Sequence, residues 1–279
     1  MRKLIAAVAA LVLLAVVYVP REPARVTSGG PPYRRIVSLV PSVTELLFAV
    51  GAGDHVVGVT RYCAYPPEAQ SREKIGDIRV DYEKVAALKP DAVITVRRMT
   101  REAAEVLERM GLRVEELYGE SFGEIAEALR TAGRWTGRAE RGEEEARRLL
   151  ARVEAVERRV RGKPRPTVFF ESSYDPIWSV SGKSYVGDVI TLAGGRNILE
   201  DMAQPWGPVS WEVVLQADPD VILIGHESTA NLDARAGWAN LKAVRSGRVH
   251  IVPKEEFYYP TARLADGLER AARLFHGAD

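Results

Sequence analysis

Short apolar runs alternate with segments of helical spacing along the first half of the chain. The runs are rich in Val and Ile, whereas the segments between them repeat their apolar residues every three or four positions. The predicted strands are 35–40, 56–60, 92–96 and 112–117, and the predicted helices are 45–50, 82–88, 101–110 and 122–135. Alternation of this kind is typical of parallel βαβ units, so this half is predicted to form one α/β lobe.

The same alternation returns in the second half of the chain. Its predicted strands are 167–171, 221–224 and 249–252, and its predicted helices are 186–192, 212–216 and 262–275. The predicted fold class is therefore α/β, with two lobes that each contain a central, parallel-type sheet.

One long amphipathic helix is predicted between the two halves, over 138–161. Its apolar positions fall at helical spacing among Glu and Arg residues: Ala146, Leu149, Leu150, Val153, Val156 and Val160. A helix of roughly 23 residues is about 34 Å long, which is enough to join two lobes rigidly. A stretch rich in Gly and Pro at 162–166 ends it. We therefore expect an N-terminal lobe at 34–137, a linking helix at 138–162 and a C-terminal lobe at 163–279.

The N-terminus carries the features of an export signal. Two basic residues precede an unbroken apolar run over 4–19, which Pro20 ends. The run is shorter than the ~20 residues that a spanning helix needs, although a tilted anchor is an alternative. We expect residues 1–24 to be a signal peptide or an N-terminal anchor, and 25–33 to be a flexible leader. The protein is then exported, to the periplasm or to the outer face of the cytoplasmic membrane.

Composition narrows the functional classes. The chain has 279 residues, of which 46% are hydrophobic and 28% charged, as is typical of a globular protein. Its 39 Lys and Arg residues against 38 Asp and Glu give a net charge of +1, so no binding to nucleic acid is expected. The single cysteine, Cys63, excludes an intramolecular disulfide, a thiolate zinc site and a CxxC redox pair.

Motifs for catalysis and for metal binding are incomplete. The segment 182–184 lacks the earlier glycine of a phosphate loop, and the segment that begins at His226 lacks the second histidine of a zinc protease. There is no G-x-S-x-G elbow, and Cys63 is predicted to serve packing rather than catalysis. We therefore predict no resident cofactor and no metal site. The same absence of complete motifs weakens an exported enzyme, which is the alternative from another class.

An internal repeat links the two halves. The segment 83–94 recurs as 212–223: each begins with a glutamate, and a Pro-Asp pair follows at the same offset. One interpretation is ordinary αβ chemistry, in which glutamate favours a first helical turn and Pro-Asp makes the turn into a strand. The other is that Glu83 and Glu212 present carboxylates at corresponding places of both lobes, where a symmetric partner could bind them.

Six segments resemble the class III substrate-binding proteins of ABC importers, a family of metal-chelate receptors with a helical backbone. They are 35–51, 57–60, 65–69, 87–91, 181–184 and 192–198. Within the family, Tyr62, 65–67 and 205–212 are most similar to the cobalamin-binding members. The resemblance implies two α/β lobes, little hinge motion and a ligand cleft between the lobes. It also implies that the protein captures a corrinoid or a related metal chelate and delivers it to the permease subunits of an ABC importer, and we expect a monomer.

Site residues follow from the resemblance and from the strand ends, because ligands of open parallel sheets bind beyond the carboxyl ends of the strands. Tyr62 and Trp206 match aromatic positions that flank the corrin ring from opposite lobes, which suits a large, flat ligand. Ser42 has capping-box spacing to Glu45, which would direct a helix N-terminus towards the cleft. The predicted ligand-binding set is Ser42, Tyr62, Arg97, Trp206, His226 and Tyr258. Glu83 and Glu212 match the family's two glutamates that meet arginines on the permease.

Departures from the cobalamin-binding pattern leave other chelates open. Ile78 and Val96 stand where aromatic residues are expected. Arg97 and Arg98 would suit an anionic ligand such as a ferric siderophore, and Tyr62 could ligate haem iron. A sensor or scaffold without a transporter is a further alternative for the same fold.

Overall fold

The computed structural model describes residues 32–77, 79–229 and 232–277. The predicted signal peptide or anchor at 1–24, the leader as far as residue 31, and Ile78 lie outside these residues. Within them, no helix combines the length and the apolar character that crossing a bilayer requires.

Twelve strands and ten α-helices form in the described part of the chain. The strands are β1 (Ile36–Ser38), β2 (Val56–Val59), β3 (Glu73–Lys74), β4 (Ala92–Thr95), β5 (Val114–Glu116), β6 (Thr167–Glu171), β7 (Ser173–Tyr174), β8 (Ile177–Val180), β9 (Arg196–Asn197), β10 (Trp206–Pro208), β11 (Val221–Ile224) and β12 (Val249–Ile251). The helices are α1 (Pro41–Ala49), α2 (Tyr82–Ala87), α3 (Arg97–Arg109), α4 (Phe122–Trp135), α5 (Ala139–Val160), α6 (Tyr185–Leu192), α7 (Trp211–Ala217), α8 (Lys242–Arg245), α9 (Lys254–Phe257) and α10 (Leu264–His276).

Two parallel sheets confirm the predicted fold class of two α/β lobes. In the N-terminal lobe the strand order is β3-β2-β1-β4-β5, and in the C-terminal lobe it is β12-β11-β6-β9. Each order changes direction beside its first strand, between β1 and β4 in one lobe and between β6 and β11 in the other. Crevices for ligands open at such points, beyond the carboxyl ends of the strands.

The C-terminal lobe contains a second, antiparallel sheet that the hydrophobic pattern does not predict. Its order is β10-β8-β7, and its strands have only two to four residues each. Such short strands show too little alternation to be recognised in the sequence. This sheet is what places Trp206 in the lobe, since Trp206 begins β10 and pairs with Val180 of β8.

Helix α5 confirms the prediction of one long linking helix. Five of the six predicted apolar positions are buried, whereas Leu150 is 36% exposed. Helix α4 packs closely on α5 because two glycines face each other. A Cβ atom on Gly142 would lie 2.7 Å from the carbonyl oxygen of Leu129 and 3.1 Å from the Cα of Gly133. Any larger residue at Gly142 would push the two helices apart.

Two helices begin earlier than the sequence predicts. Helix α1 begins at Pro41, and its N-cap residue Val40 makes no side-chain capping bond. The predicted capping box is therefore wrong: proline occupies the first helical position, and the Glu45 carboxylate binds other partners instead. Helix α3 begins at Arg97 and has non-helical dihedrals at Thr100, one residue before the predicted helix starts.

The internal repeat has the same backbone in both lobes. Glu83 lies in the first turn of α2 and Glu212 in the first turn of α7. The residue before each Pro-Asp pair is left-handed, with φ of 47° at Lys89 and 42° at Asp218. Non-glycine residues seldom adopt this conformation. Its recurrence therefore indicates that the two copies of the repeat share a local structure and are not similar in sequence by chance.

Candidate functional site

A cleft of about 950 Å³ opens at the carboxyl ends of β1, β2 and β4. This volume is near the upper end of the range of about 300–1,000 Å³ that is usual for small-molecule sites. Residues of the N-terminal lobe that line it include Val40, Pro41, Tyr62, Tyr82 and Met99, and Tyr259 lines it from the C-terminal lobe. The cleft is thus bounded by aromatic side chains of both lobes.

Tyr62 is the predicted ligand-binding residue that lines this cleft. Its residue surface is 55% exposed, and that of Met99 is 64% exposed. Tyr259 is partly buried, and burial raises the pKa of its phenol. Exposed aromatic and thioether groups around a cleft of this size offer contact area to a large ligand, because little of that area is used within the protein.

Trp206 and Tyr258 lie in a row of aromatic rings, and the residue after Tyr258 in the chain is Tyr259 of the cleft lining. The ring of Trp206 is 5.4 Å from that of Tyr185 and 6.1 Å from that of Tyr258. The hydroxyl of Tyr258 donates to the carbonyl oxygen of Ser172 at 2.7 Å, and burial raises its pKa. Trp206 is outside the cleft lining, but its buried indole Nε1 has no hydrogen-bond acceptor. It is therefore a donor that a ligand could satisfy.

His226 lies in a buried ionic cluster at the end of β6. Its Nε2 is 2.8 Å from the carboxylate of Glu171, which is 0% exposed. Arg235 donates to the same carboxylate at 2.6 and 2.8 Å. The guanidinium of Arg235 also lies 4.4 Å from the ring of Tyr174 and 5.0 Å from that of Trp211. These contacts give His226 a structural role inside the lobe. Its role in ligand binding stays a prediction.

Arg97 and Arg98 are occupied by carboxylates of their own lobe. Arg97 forms an ion pair with Glu108, and Arg98 binds Glu120 at 2.7 Å while it lies over the ring of Tyr118. Burial raises the pKa of Glu120, and Arg98 opposes that rise. Both guanidinium groups therefore have partners, which reduces what they could offer to an anionic ligand.

Ser42 is buried, at 6% exposure, in the first turn of α1. Its neighbours Val40 and Pro41 line the cleft, whereas Ser42 itself does not. The beginning of α1 thus reaches the cleft, while direct contact of Ser42 with a ligand stays a prediction.

Glu83 and Glu212 are both exposed. Glu83 directly follows Tyr82, which lines the cleft, so this glutamate lies close to the cleft rim. Hydrogen bonds from its own backbone amide and from Ser210 lower the pKa of Glu212, so it stays charged at neutral pH. Their role in docking stays a prediction.

Hydrogen bonds cross the lobe boundary at two places. Glu45 of α1 accepts from Arg263 and Thr261. The backbone N–H of Phe122 donates to Asp188 at 2.9 Å. Beside the first of these links lies a second cavity of about 740 Å³, which the start of α5 and the segment before α10 help to line.

Sequence reasoning missed Tyr259 and Arg263. Both lie near the run of aromatic residues 257–259, which follows the last strand at its carboxyl end. That position and the aromatic run are signals that could have indicated Tyr259. Arg263 carries no such signal, because only the packing of the two lobes brings it to Glu45.

Comparisons with known proteins identify the family of the chain. A model of the periplasmic binding protein family matches residues 36–256. The chain is 32% identical to the vitamin B12-binding protein of Salmonella paratyphi A over 230 residues, which cover 82% of this chain and 84% of that protein.

Two solved structures have the same fold. The periplasmic vitamin B12-binding protein of Vibrio cholerae superposes with a TM-score of 0.76 at 28% identity, over 88% of this chain and 97% of that one. A periplasmic heme-binding protein from Roseiflexus sp. RS-1 superposes with a TM-score of 0.75 at 28% identity, over 87% and 98% of the two chains. The matched family consists of binding proteins, which confirms the prediction that the protein is not an enzyme. With most of its length matched, the chain belongs to the periplasmic binding protein family.

Proposed function

We propose that this protein captures a corrinoid such as cobalamin in the cleft between Tyr62 and Tyr259 and delivers it to the permease of an ABC importer. The cleft carries the proposal: it is large, lies at the strand ends, and presents aromatic area from both lobes. The relatives named for vitamin B12 support the choice of a corrinoid.

Haem is the second candidate, and Tyr62 is the observation that favours it. A tyrosine phenol is a known axial ligand of ferric haem, and this one is largely exposed at the cleft. The heme-binding structural relative supports the same alternative. A ferric siderophore is less well supported, because Arg97 and Arg98 already bind Glu108 and Glu120.

Parallel calorimetry of the purified protein against cyanocobalamin, haemin and a ferric hydroxamate distinguishes these ligands. We expect a Kd for cyanocobalamin of about 1 μM or lower, which corresponds to about −8.2 kcal/mol. Trp178→Ala, which removes a partly exposed ring outside the cleft lining, is the matched control for Tyr62→Ala. Absence of heat with cyanocobalamin, together with a haemin spectrum that changes in Tyr62→Phe, would replace the corrinoid by haem.

We also propose that Glu83 and Glu212 bind arginines on the two permease subunits. Both are exposed, and each begins a helix at the same place of the repeat. The variants Glu83→Gln and Glu212→Gln should leave the Kd for cyanocobalamin unchanged but weaken association with the permease several-fold, and more so in the double variant. Salt screens the attraction that only the wild-type carboxylates make, so the difference between wild type and variants should shrink as the salt concentration rises. Glu140→Gln, another exposed glutamate in a first helical turn, is the control. Normal uptake with the double variant would leave the glutamates as helix-start residues only.

Export and assembly complete the proposal. We propose that residues 1–24 direct export and that the protein acts as a monomer in the periplasm or at the outer face of the cytoplasmic membrane. The basic residues and the apolar run 4–19 support export. The mass of the protein recovered from membrane and soluble fractions measures whether the segment is cleaved, and light scattering measures the oligomeric state.

A further inference from the structure

The Glu45 carboxylate crosses the lobe boundary and is held by two residues of the C-terminal lobe. It accepts hydrogen bonds from Nε and Nη2 of Arg263 at 2.9 and 2.5 Å, and from Oγ1 of Thr261 at 3.1 Å. Glu45 is 5% exposed, so water and salt screen this pair far less than a surface pair. Moving either partner away would leave a buried charge without compensation, which is why the pair holds its geometry.

The pair lies between the cleft and the second cavity. Three segments each line the cleft and, three or four positions later, the second cavity, as the pairs Pro41 and Glu45, Tyr62 and Tyr65, and Tyr259 and Arg263 show. The wall between the two cavities is therefore built from both lobes, and the only charges that these six residues contribute are Glu45 and Arg263.

The guanidinium of Arg263 also contacts two aromatic rings. It lies 4.0 Å from the ring centre of Tyr65 and 5.9 Å from that of Tyr259. One carboxylate of the opposite lobe and two rings thus share one planar cation, a combination that suits arginine and not lysine. Because Tyr259 lines the cleft, Arg263 connects the Glu45 contact to a residue of the cleft wall.

We infer that Arg263 is a positioning residue for ligand capture: held by Glu45 of the opposite lobe, it sets the distance between the lobes and the place of Tyr259 in the cleft. The part concerning the ligand rests on the proposed function. The part concerning the distance between the lobes does not depend on any ligand and is tested without one.

Distance measurement between spin labels tests the ligand-free part. Labels on cysteines introduced at the exposed positions Glu83 and Glu212 report one distance between the lobes, and the native Cys63 is buried. Glu45→Gln should broaden the distance distribution, because it removes the charge and preserves the size of the side chain. An unchanged distribution in Glu45→Gln overturns the inference.

A matched ion pair within one lobe provides the control. Glu256 binds Arg270 through two hydrogen bonds of 2.5 and 2.6 Å, and both residues belong to the C-terminal lobe. Glu256→Gln should therefore leave the distance distribution unchanged. If Glu45→Gln does not fold, Arg263→Lys takes its place, since it keeps the charge and loses the two-point contact.

A double-mutant cycle with cyanocobalamin tests the part concerning the ligand. Arg263→Lys should weaken binding about tenfold, which corresponds to about 1.4 kcal/mol. If Arg263 acts through Tyr259, the effect should disappear in a Tyr259→Ala background. Equal losses in both backgrounds would reduce Arg263 to a structural role and overturn this part. Absence of binding to the wild-type protein would contradict the proposed corrinoid, and the distance measurement alone would then decide the inference.

Discussion

In both lobes an aspartate of the repeat holds the beginning of the central strand, whereas the carboxyl end of that strand differs between the lobes. Just before β1, Asp91 accepts the backbone N–H groups of Arg34 and Arg35 at 2.6 and 2.8 Å. Its counterpart Asp220 accepts the N–H and the hydroxyl of Thr167, both at 2.8 Å. In each lobe the aspartate of the Pro-Asp pair thus joins the beginning of the strand that follows it, β4 or β11, to the beginning of the neighbouring strand, β1 or β6.

At the carboxyl ends the resemblance between the lobes stops. In the N-terminal lobe, Ser38 of β1 accepts a 2.8 Å hydrogen bond from Thr44, and both groups are neutral. In the C-terminal lobe, β6 ends in Glu171, whose carboxylate binds the buried side chains of Arg235 and His226. The repeat therefore determines how neighbouring strands are joined at their beginnings, whereas the residues at the strand ends differ between the lobes. The N-terminal lobe forms most of the wall of the open cleft, and the C-terminal lobe has a buried aromatic and ionic cluster.

The largest expected difference concerns these strand ends. Glu171→Gln should lower the free energy of unfolding by about 3–5 kcal/mol, because Arg235 would remain buried without its counter-charge. Ser38→Ala should cost only about 1 kcal/mol, the value of one neutral hydrogen bond. Urea unfolding of both variants measures the contrast. If Arg235→Met fails to restore part of the loss in the Glu171→Gln background, charge compensation is not the reason.

The aromatic residues should separate binding from stability. Trp206→Ala should lower the free energy of unfolding by about 2–3 kcal/mol, because it removes packing against Tyr185 and Tyr258. Tyr62→Ala should leave stability within about 0.5 kcal/mol, since the ring is mostly exposed, and should weaken ligand binding by about 1–3 kcal/mol. Thermal unfolding and calorimetry measure the two quantities. Trp206→Phe isolates the indole N–H, and unchanged affinity there would remove it from the site.

Asp220, the carboxylate of the Pro-Asp pair in the C-terminal lobe, should make stability depend on pH. Partial burial raises the pKa of Asp220, but hydrogen bonds from Thr167 and nearby cations outweigh this effect and lower it overall. Its stabilisation is therefore complete above the unfolded pKa of about 3.9 and is lost as the pH falls through the lower folded value. Asp220→Asn should cost about 1–2 kcal/mol at pH 7, and the gap to wild type should close below about pH 4. A gap that persists in acid would contradict this assignment.

Substitutions at the two left-handed residues, Lys89 and Asp218, should change the free energy of unfolding least, and they should differ from each other. Lys89→Gly should stabilise the protein by about 0.5–1 kcal/mol, because glycine adopts positive φ without strain. Asp218→Gly should gain less or lose stability, since Asp218 also accepts the backbone N–H of Lys242 at 2.8 Å. Urea unfolding compares the two. Equal gains would mean that this bond contributes nothing.

Much of the frame could be predicted from the pattern of residues. The strands 167–171 and 221–224 and the helix 122–135 have the bounds that the sequence predicts, because long periodic or continuous apolar runs leave few alternatives. The antiparallel sheet and the start of α1 escaped prediction. The strands of the antiparallel sheet mix Ser, Gly or Pro with their apolar residues, so no continuous apolar run marks them. A helix opened by proline needs no side-chain cap.

Some residues of the candidate site could be identified from the sequence, and others could not. Tyr62 was identified by its motif, and the structure places it in the cleft. Arg97 and His226 were selected by their positions at strand ends, yet their side chains bind Glu108 and Glu171. The partner that a charged side chain binds depends on residues far away in the sequence. Position at a strand end is therefore not enough to identify a ligand-binding residue.

By itself, the sequence determined the α/β class, the single linking helix and the repeat in both lobes, because these follow from local periodicity and turn chemistry. Only the tertiary structure decided that Glu45 meets Arg263, 218 residues away, and that Tyr62 and Tyr259 face one cleft. The physical reason is that burial and lobe packing select among partners that the local sequence leaves equivalent. A buried carboxylate must find a cation wherever the fold brings one.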